Sequence, residues 1–376
     1  MNSQFACIGR LQIRKHRPAV AAAALLAGLF AHSAVAQDAI ASEKFDVTSP
    51  DYIKWNKDTC QFEPAQGAGP YVAQVTKSAT PLHIVFTPEE QTNPVFVAEA
   101  KKLVELGKQA GIEVTVLDNA FPDTMRPLQN ADQAVQMKAD VVLSQLIMPD
   151  LNPAVQSKYK DACIPMVNVF GMPKYPFPAP TVQAIHKQNG IVMAKAAIEL
   201  IKEKNWPADQ IWIVSCGDPV TASGPGTAED LMVGFADTVK AAFNVPAEHI
   251  SDILVCSQAN GPLGSKTALT DWLTAHPQAK YVVGSAWNDV KAFGMAQALE
   301  AAGFTPANAL TAGRDANTEQ VTAIKSGGSI LQVDLDLDLI NGWSAAMLAV
   351  AQDIAAGKAV PAYNVPAATP ITAKSP

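Results

Sequence analysis

The amino-acid sequence predicts an α/β protein with two doubly wound parallel-sheet lobes joined by crossover strands. From residue 82 onward, short β-branched runs alternate with longer helical patterns, and this strict alternation is typical of a parallel sheet covered by helices on both faces. A proline-rich stretch, KYPFPAPT (174–181), divides the series into two sets of β-α units. A chain of 376 residues, 48% hydrophobic and 17% charged, is long enough for two folded domains.

The first 36 residues have the pattern of a removable export signal. Basic residues precede the apolar run AVAAAALLAGLFA (19–31), which is short for a membrane span, and residues 34–36 form a small-x-small cleavage site. Cys7 precedes that site and the next cysteine is Cys60, so no cysteine stands at the cleavage point to carry a lipid. We therefore predict a periplasmic protein cleaved after Ala36, with an uncleaved anchor as the alternative.

Charge and motifs exclude several classes of function. Loss of the signal removes four of 28 basic residues and no acidic ones, leaving 24 against 35 and a formal charge of −11. Such a chain, without a run of Lys or Arg, repels nucleic acid and anionic membranes. It has no G-x-S-x-G or C-x-x-C motif, so we predict no enzyme activity and no cofactor. His186, near the link between the lobes, is expected to be exposed to solvent, with contact to a ligand as the alternative.

The elements follow in order along the chain. Residues 37–80 lack a regular period and predict an extended arm over the first lobe. Asn93 followed by Pro94 is typical of a helix start, and Gly107 or Gly111 can end that helix. The predicted strands are 82–87, 112–118, 140–146, 165–170, 210–216, 252–258, 280–286 and 309–315. The predicted lobes are 81–186 plus 337–361, and 187–336 plus 362–376.

Four cysteines remain after the signal, and they allow three pairings. Cys216 and Cys256 end the first and second strands of the second lobe, which are neighbours in a doubly wound sheet. We predict that they form one disulfide and that Cys60 and Cys163 form the other.

Ligands of doubly wound sheets bind outside the carboxyl ends of the strands. Trp287 and Asp289 follow the strand 280–286, and Phe170 ends another strand, so these residues are candidates for ligand contact. A helix N-cap with a tryptophan packed in the core is the alternative for the first two. The alternating aspartates of QVDLDLDL (332–339) predict a strand with one polar face. They lack the Gly and Glu of a calcium loop, so we predict no metal site.

Several short motifs occur together in the order found in one family. They are Thr92-Asn93-Pro94-Val95-Phe96, Ile164 to Val167, Gln188-Asn189-Gly190, Gly234-Phe235, and Trp287-Asn288-Asp289 with Ala292 and Gly294. From Leu82 to about Pro366 the chain resembles the ribose-type periplasmic solute-binding proteins of ABC importers. The resemblance implies the type I periplasmic-binding-protein fold, a small-molecule ligand held between the lobes, a membrane ABC permease as partner, and a monomer.

The resemblance also implies positions for ligand contacts. Asn93 and Phe96 would come from the first lobe, and Asn189 and Asp289 from the second. Asp289 would accept hydrogen bonds from two hydroxyls of the ligand. For Asn93, the capping role alone is the alternative.

Three departures from the family pattern predict a net-negative cleft. Phe170 and Gly171 replace an Asp-Arg pair, Glu229 replaces an Arg, and Asp336 replaces a Gln. A place in the first turn of a helix explains Glu229 without a ligand, as a solvated strand edge explains Asp336. We expect a sugar or polyol as ligand. An amine or other cationic solute is the alternative, as is a receptor that reports to a membrane sensor.

Overall fold

A computed structural model describes residues 39–43, 45–67, 71–146, 148, 150–170, 178–217, 228–256 and 261–376. The predicted export signal and the first part of the proline-rich stretch lie outside the described residues. Residues 37–376 form one compact unit. None of the helices in the described ranges is both long and apolar enough to cross a membrane.

Short strands make up two large and two small sheets. In chain order they are β1 (Ala41–Glu43), β2 (Phe45–Thr48), β3 (Tyr52–Asn56), β4 (Gln61–Ala65), β5 (Ala73–Val75), β6 (Leu82–Thr87), β7 (Ile112–Val116), β8 (Val141–Ser144), β9 (Met166–Val169), β10 (Thr181–Val182), β11 (Ile211–Gly217), β12 (Leu254–Val255), β13 (Tyr281–Ala286), β14 (Ala309–Ala312), β15 (Leu331–Asp336), β16 (Val360–Pro361), β17 (Tyr363–Pro366) and β18 (Thr369–Ile371).

Helices cover the large sheets. In chain order, those within the described ranges are α1 (Pro94–Ala110), α2 (Arg126–Gln136), α3 (Asn152–Asp161), α4 (His186–Glu203), α5 (Ala228–Phe243), α6 (Pro262–Ala275), α7 (Asp289–Ala301), α8 (Thr318–Ser326) and α9 (Ser344–Ala355). A π-helical turn, Leu339–Trp343, precedes α9. α1 ends at Gly111, which has a left-handed φ of 74°. Gly111 is one of the two glycines predicted from the sequence as the end of this helix.

Each large sheet is mainly parallel, as predicted. The first has the order β2-β17-β10-β9-β8-β6-β7, and the second has the order β12-β11-β13-β14-β15-β18. Only β2 in the first sheet and β18 in the second are antiparallel to their neighbours within the described residues. Ile84 and Val85 of β6 are both fully buried, in different core clusters, because helices cover both faces of the sheet.

Three crossovers join the lobes. The chain passes from β10 in the first sheet to α4 and β11 in the second, and from β15 back through the π-helical turn to α9. It returns from β17 in the first sheet to β18 in the second. The last crossover therefore falls between Pro366 and Thr369, and not at the predicted boundary between residues 361 and 362. β17 belongs to the first sheet because it pairs with β10 and β2.

The arm is more regular than its sequence suggests. β2 extends the first sheet, β1 pairs with β5, and β3 and β4 form a hairpin that pairs with β16. The structure contains the two disulfides named from the sequence: Cys60–Cys163, with Cα atoms 4.8 Å apart, and Cys216–Cys256, with Cα atoms 5.7 Å apart. The first fastens the β3–β4 hairpin to the loop between α3 and β9.

Candidate functional site

A cleft lies between the carboxyl ends of the strands of the two lobes, and side chains from both lobes meet inside it. The free volume of the cleft is about 10 Å³, close to the space that one water molecule needs. The lining residues are Glu89, Glu90, Asn93, Phe96, Phe121 and Phe170 from the first lobe, and Trp287, Asn288, Arg314 and Asp315 from the second.

Helix starts and strand ends position these side chains. Asn93 is the N-cap of α1, and its Oδ1 accepts a hydrogen bond from the Val95 backbone N–H at 3.0 Å. Asn288 caps α7 in the same way through the Lys291 N–H. Since each cap uses the amide oxygen, the NH2 group of Asn93 remains as the donor that this side chain can offer to a ligand.

Aromatic rings form much of the wall of the cleft. Phe170 stands edge-on to Phe96, with ring centroids 6.1 Å apart, and tilted against Trp343 at 4.7 Å. Phe170 has a φ of 68°, which a bulky residue rarely adopts and which costs on the order of 1–3 kcal/mol. Asp315 on the facing lobe also has a positive φ, of 115°. The backbone is thus strained on both sides of the cleft.

Arg314 occupies the centre of the cleft. Its guanidinium carbon lies 3.9 Å from the centroid of the Trp287 ring and 5.8 Å from that of Phe170. Its Nη1 donates a hydrogen bond to His186 Nδ1 at 3.1 Å, and its Nε lies 3.5 Å from Asp315 Oδ1. The contacts with His186 and Asp315 therefore fix the cation against the Trp287 ring.

His186 has a different place from the one expected. The prediction of an exposed hinge histidine is wrong, because the side chain is buried against Trp287 with ring centroids 5.0 Å apart. Burial, and then the charge of Arg314, lower the pKa of His186 well below its ordinary value. The ring is therefore neutral, and its Nδ1 can accept from the guanidinium.

Carboxyl groups surround Arg314. Burial, followed by the charges of Glu90 and Asp315, raises the pKa of Glu89 to about 8. Burial also raises the pKa of Asp315 to about 7, although Arg314 opposes that shift. Groups that titrate near neutral pH can both donate and accept hydrogen bonds. Glu90 accepts a hydrogen bond from the Thr92 hydroxyl.

The lining has three carboxyl groups and one guanidinium. Acidic groups outnumber the basic one, although the raised pKa values of Glu89 and Asp315 reduce the negative charge near neutral pH, and the residues differ from those predicted. The sequence has no Asp-Arg pair directly after β9. A different pair, Arg314 and Asp315, lines the cleft from the opposite lobe.

Four predicted site residues line the cleft, and four do not. Asn93, Phe96, Phe170 and Trp287 are brought together there. Asp289, Asn189, Glu229 and Asp336 lie outside the lining residues. Glu229 is exposed on the first turn of α5, and Asp336 is half-buried at the end of β15, where it accepts from the Asp338 N–H. Asn189 is buried in the first turn of α4.

Asp289 lies behind the cleft as part of a buried carboxyl pair. It is fully buried, and its Oδ2 accepts from the Asn317 N–H at 2.7 Å. Its side chain also interacts with that of Asp334, and we infer that the two carboxyl groups share a proton. Burial, then the charges of Asp334 and Asp315, raise the pKa of Asp289 well above its ordinary value. Asp289 is therefore not among the side chains that line the cleft, and its contact with ligand hydroxyls stays a prediction.

The site residues predicted from the sequence do not include Arg314, Asp315, Glu89 or Glu90. The run 309–315 was predicted as a strand throughout, whereas β14 ends at Ala312 and leaves Arg314 and Asp315 beyond the strand end. The rule that ligands bind outside strand ends would have found them, together with Glu89 and Glu90 after β6. Among the described residues, no group of three or more His, Cys, Asp or Glu side chains could hold a metal ion.

The fold and the interlobe cleft define a two-lobed solute-binding protein. Residues 84–359 match the model of the periplasmic binding protein domain, and the chain belongs to this family. A comparison with curated proteins finds no match.

Solved structures with this fold are similar over most of the chain. An ABC transporter solute-binding protein from Mycobacterium smegmatis with bound glycerol is 20% identical, with a TM-score of 0.64 over 79% of this chain and 96% of that one. The myo-inositol-binding protein of Caulobacter, bound to myo-inositol, is 20% identical, with a TM-score of 0.65 over 79% and 95%. A periplasmic solute-binding protein from Actinobacillus succinogenes with bound D-allose is 16% identical, with a TM-score of 0.66 over 78% and 98%.

Proposed function

We propose that this protein is an exported solute receptor that binds a sugar or polyol between its lobes and delivers it to an ABC permease. The observation that carries the proposal is the Arg314–Asp315 pair beside the aromatic rings that line the cleft. A guanidinium donates through a planar fork and a carboxylate accepts, so together they match adjacent hydroxyl groups. The rings of Phe96 and Phe170 in the same lining suit the C–H groups of a ring.

The remaining lining groups fit the same class of ligand. The Asn93 amide can donate, and Glu89 and Glu90 add acceptors on the other side of the cleft. The similar proteins with bound glycerol, D-allose and myo-inositol support a polyhydroxyl ligand. No bond is made or broken in this function, because closure of the lobes over the ligand is sufficient.

The export signal predicted from the sequence at residues 1–36 supports delivery to the periplasm. Two disulfides agree with an oxidising compartment. A permease and an ATPase encoded next to this protein would favour transport, whereas a neighbouring membrane sensor would favour a signalling receptor.

The test is a binding screen of the mature protein with Arg314→Gln and a matched control. We expect thermal stabilisation by at least one sugar or polyol, roughly 2.7 kcal/mol at a hundred times Kd. Arg314→Gln should weaken that binding by about 10- to 100-fold, because hydrogen bonds to charged groups contribute about 1.5–3 kcal/mol. Arg126→Gln, on the exposed start of α2, should leave the affinity unchanged. Absence of binding by any sugar or polyol would refute the proposal.

A cationic solute is the second candidate, and the acidic lining favours it. The box of Trp287 and Phe170 already holds a guanidinium among Glu89, Glu90 and Asp315. An amine could take this place if Arg314 moved aside. In that case amines would stabilise the protein and sugars would not, and Arg314→Gln would tighten binding instead of weakening it.

A further inference from the structure

A larger space, here called the outer groove, opens beside the cleft. Its walls include Thr92, Pro94 and Pro122 from the first lobe, with Gly261 and Val290 from the second. The free volume is about 450 Å³, against about 10 Å³ in the cleft itself. This volume lies in the range of ordinary small-molecule sites.

The outer groove is continuous with the cleft. Glu90, Asn93 and Phe121 line both spaces. A ring bound in the cleft beside Asn93 and Phe121 would therefore have neighbouring walls on which a substituent could lie without leaving the protein.

The chemistry of the outer groove suits a second ring or chain. Pro94, Pro122 and Val290 are apolar, while the Glu90 carboxylate and the Thr92 hydroxyl stand at its junction with the cleft. A saccharide has the same combination of apolar C–H faces and polar edges. At Gly261, an added Cβ would meet no atom of the described residues within 4 Å.

We propose that the natural ligand is a glycoside, with one polyhydroxyl ring in the cleft and the group on its glycosidic oxygen in the outer groove. This inference rests on the proposed function, since it assumes a ring in the cleft. The size and walls of the outer groove then set the preference for a ligand longer than one ring.

The experiment compares single rings with their extended forms by calorimetry on the mature protein. D-Glucose, D-galactose and myo-inositol are the single rings. Maltose, cellobiose and melibiose are the two-ring probes, and octyl β-D-glucoside below its micelle concentration is the alkyl probe. For the ring that binds, we expect at least one extended form to bind about tenfold more tightly. A gain with disaccharides assigns the groove to a second sugar, and a gain with the alkyl probe alone assigns it to an apolar aglycone.

Val290→Trp tests the location of the gain by filling the outer groove. This variant should lose the tenfold advantage of the extended form and keep the affinity for the single ring within about twofold. Val255→Trp, at an exposed position of the edge strand β12, is the matched control and should retain the advantage. Equal affinity of single and extended forms, or an advantage that survives Val290→Trp, would overturn the inference while leaving the sugar-binding proposal intact. If neither form binds, the proposed function fails first.

Discussion

Arg314 determines the chemistry of the cleft more than any other side chain in its lining. Its stacking on Trp287 and its bond to His186 hold it in one orientation before a ligand arrives. A fixed side chain loses little conformational freedom on binding, which favours affinity. Strand-end position and family resemblance together found Phe170 and Trp287. Arg314 was not predicted because the sequence pattern extends the strand to residue 315, whereas β14 ends at Ala312.

Asn93 offers a direct test of capping against ligand contact. Asn93→Ala should remove the cap of α1 and lower the free energy of unfolding by about 1 kcal/mol, as well as weaken binding. Asn93→Ser supplies an oxygen for the cap but no NH2 donor. It should therefore keep most of the stability and still weaken ligand binding. Denaturant unfolding and calorimetry on both variants distinguish these effects, and wild-type affinity in Asn93→Ser would mean that Asn93 serves only as a cap.

At the scale of elements, the eight strands predicted between residues 82 and 315 are present, with shifts at their ends. Their buried, β-branched runs are visible in a short window of sequence. The arm strands β1 and β2 were not predicted as strands. β2 forms because it pairs with β17, more than 300 residues along the chain, and no local window contains both partners. The Asp289–Asp334 pair was not predicted for the same reason, since it joins the first residue of α7 to the interior of β15, 45 residues along the chain.

The carboxyl pair predicts a pH dependence of stability. Burial raises the pKa of Asp334 to about 6, and that of its partner Asp289 also rises, so the folded state holds a proton that the unfolded chain would release above about pH 4. Stability should therefore fall as the pH rises from about 4 through 6. Glu89 and Asp315, with pKa values raised to about 8 and 7, extend this loss to about pH 8.

Thermal unfolding between pH 5 and pH 8 measures this effect in the ligand-free protein. Asp334→Asn removes one ionisable member of the pair, so its melting temperature should vary less with pH and exceed that of the wild type at pH 8. Asp271→Asn, at an exposed position on α6, is the control and should follow the wild-type profile. A variant with an unchanged slope would show that the pair does not share a proton.

At the scale of the whole molecule, the cleft is too small for a ligand to enter at this separation of the lobes. Hinge closure around a ligand is established behaviour of periplasmic binding proteins. Here we expect the three crossovers to be the segments that bend. In the second crossover, Asp338 lies just before the π-helical turn and has a φ of 49°. The family resemblance anticipated the crossovers, but the side chains that fill the closed cleft depend on contacts between lobes.

Small-angle scattering should detect this motion. A ligand that binds in the cleft is expected to lower the radius of gyration, because it favours the closed state over open states. Arg314→Gln at the same ligand concentration, below its own Kd, should keep the larger radius. An identical radius with and without saturating ligand would contradict a closing mechanism.

The pairing of β2 with β17 also has a consequence for how the chain acquires its structure. Residues 45–48 complete the edge of the first sheet only when residues 363–366 are available, and β18 joins the second sheet only after that. Neither lobe can finish folding before the last residues of the chain are available, since such distant contacts must wait for the intervening chain. Each lobe thus depends on the last crossover, and the native sheets can close only once that crossover has formed.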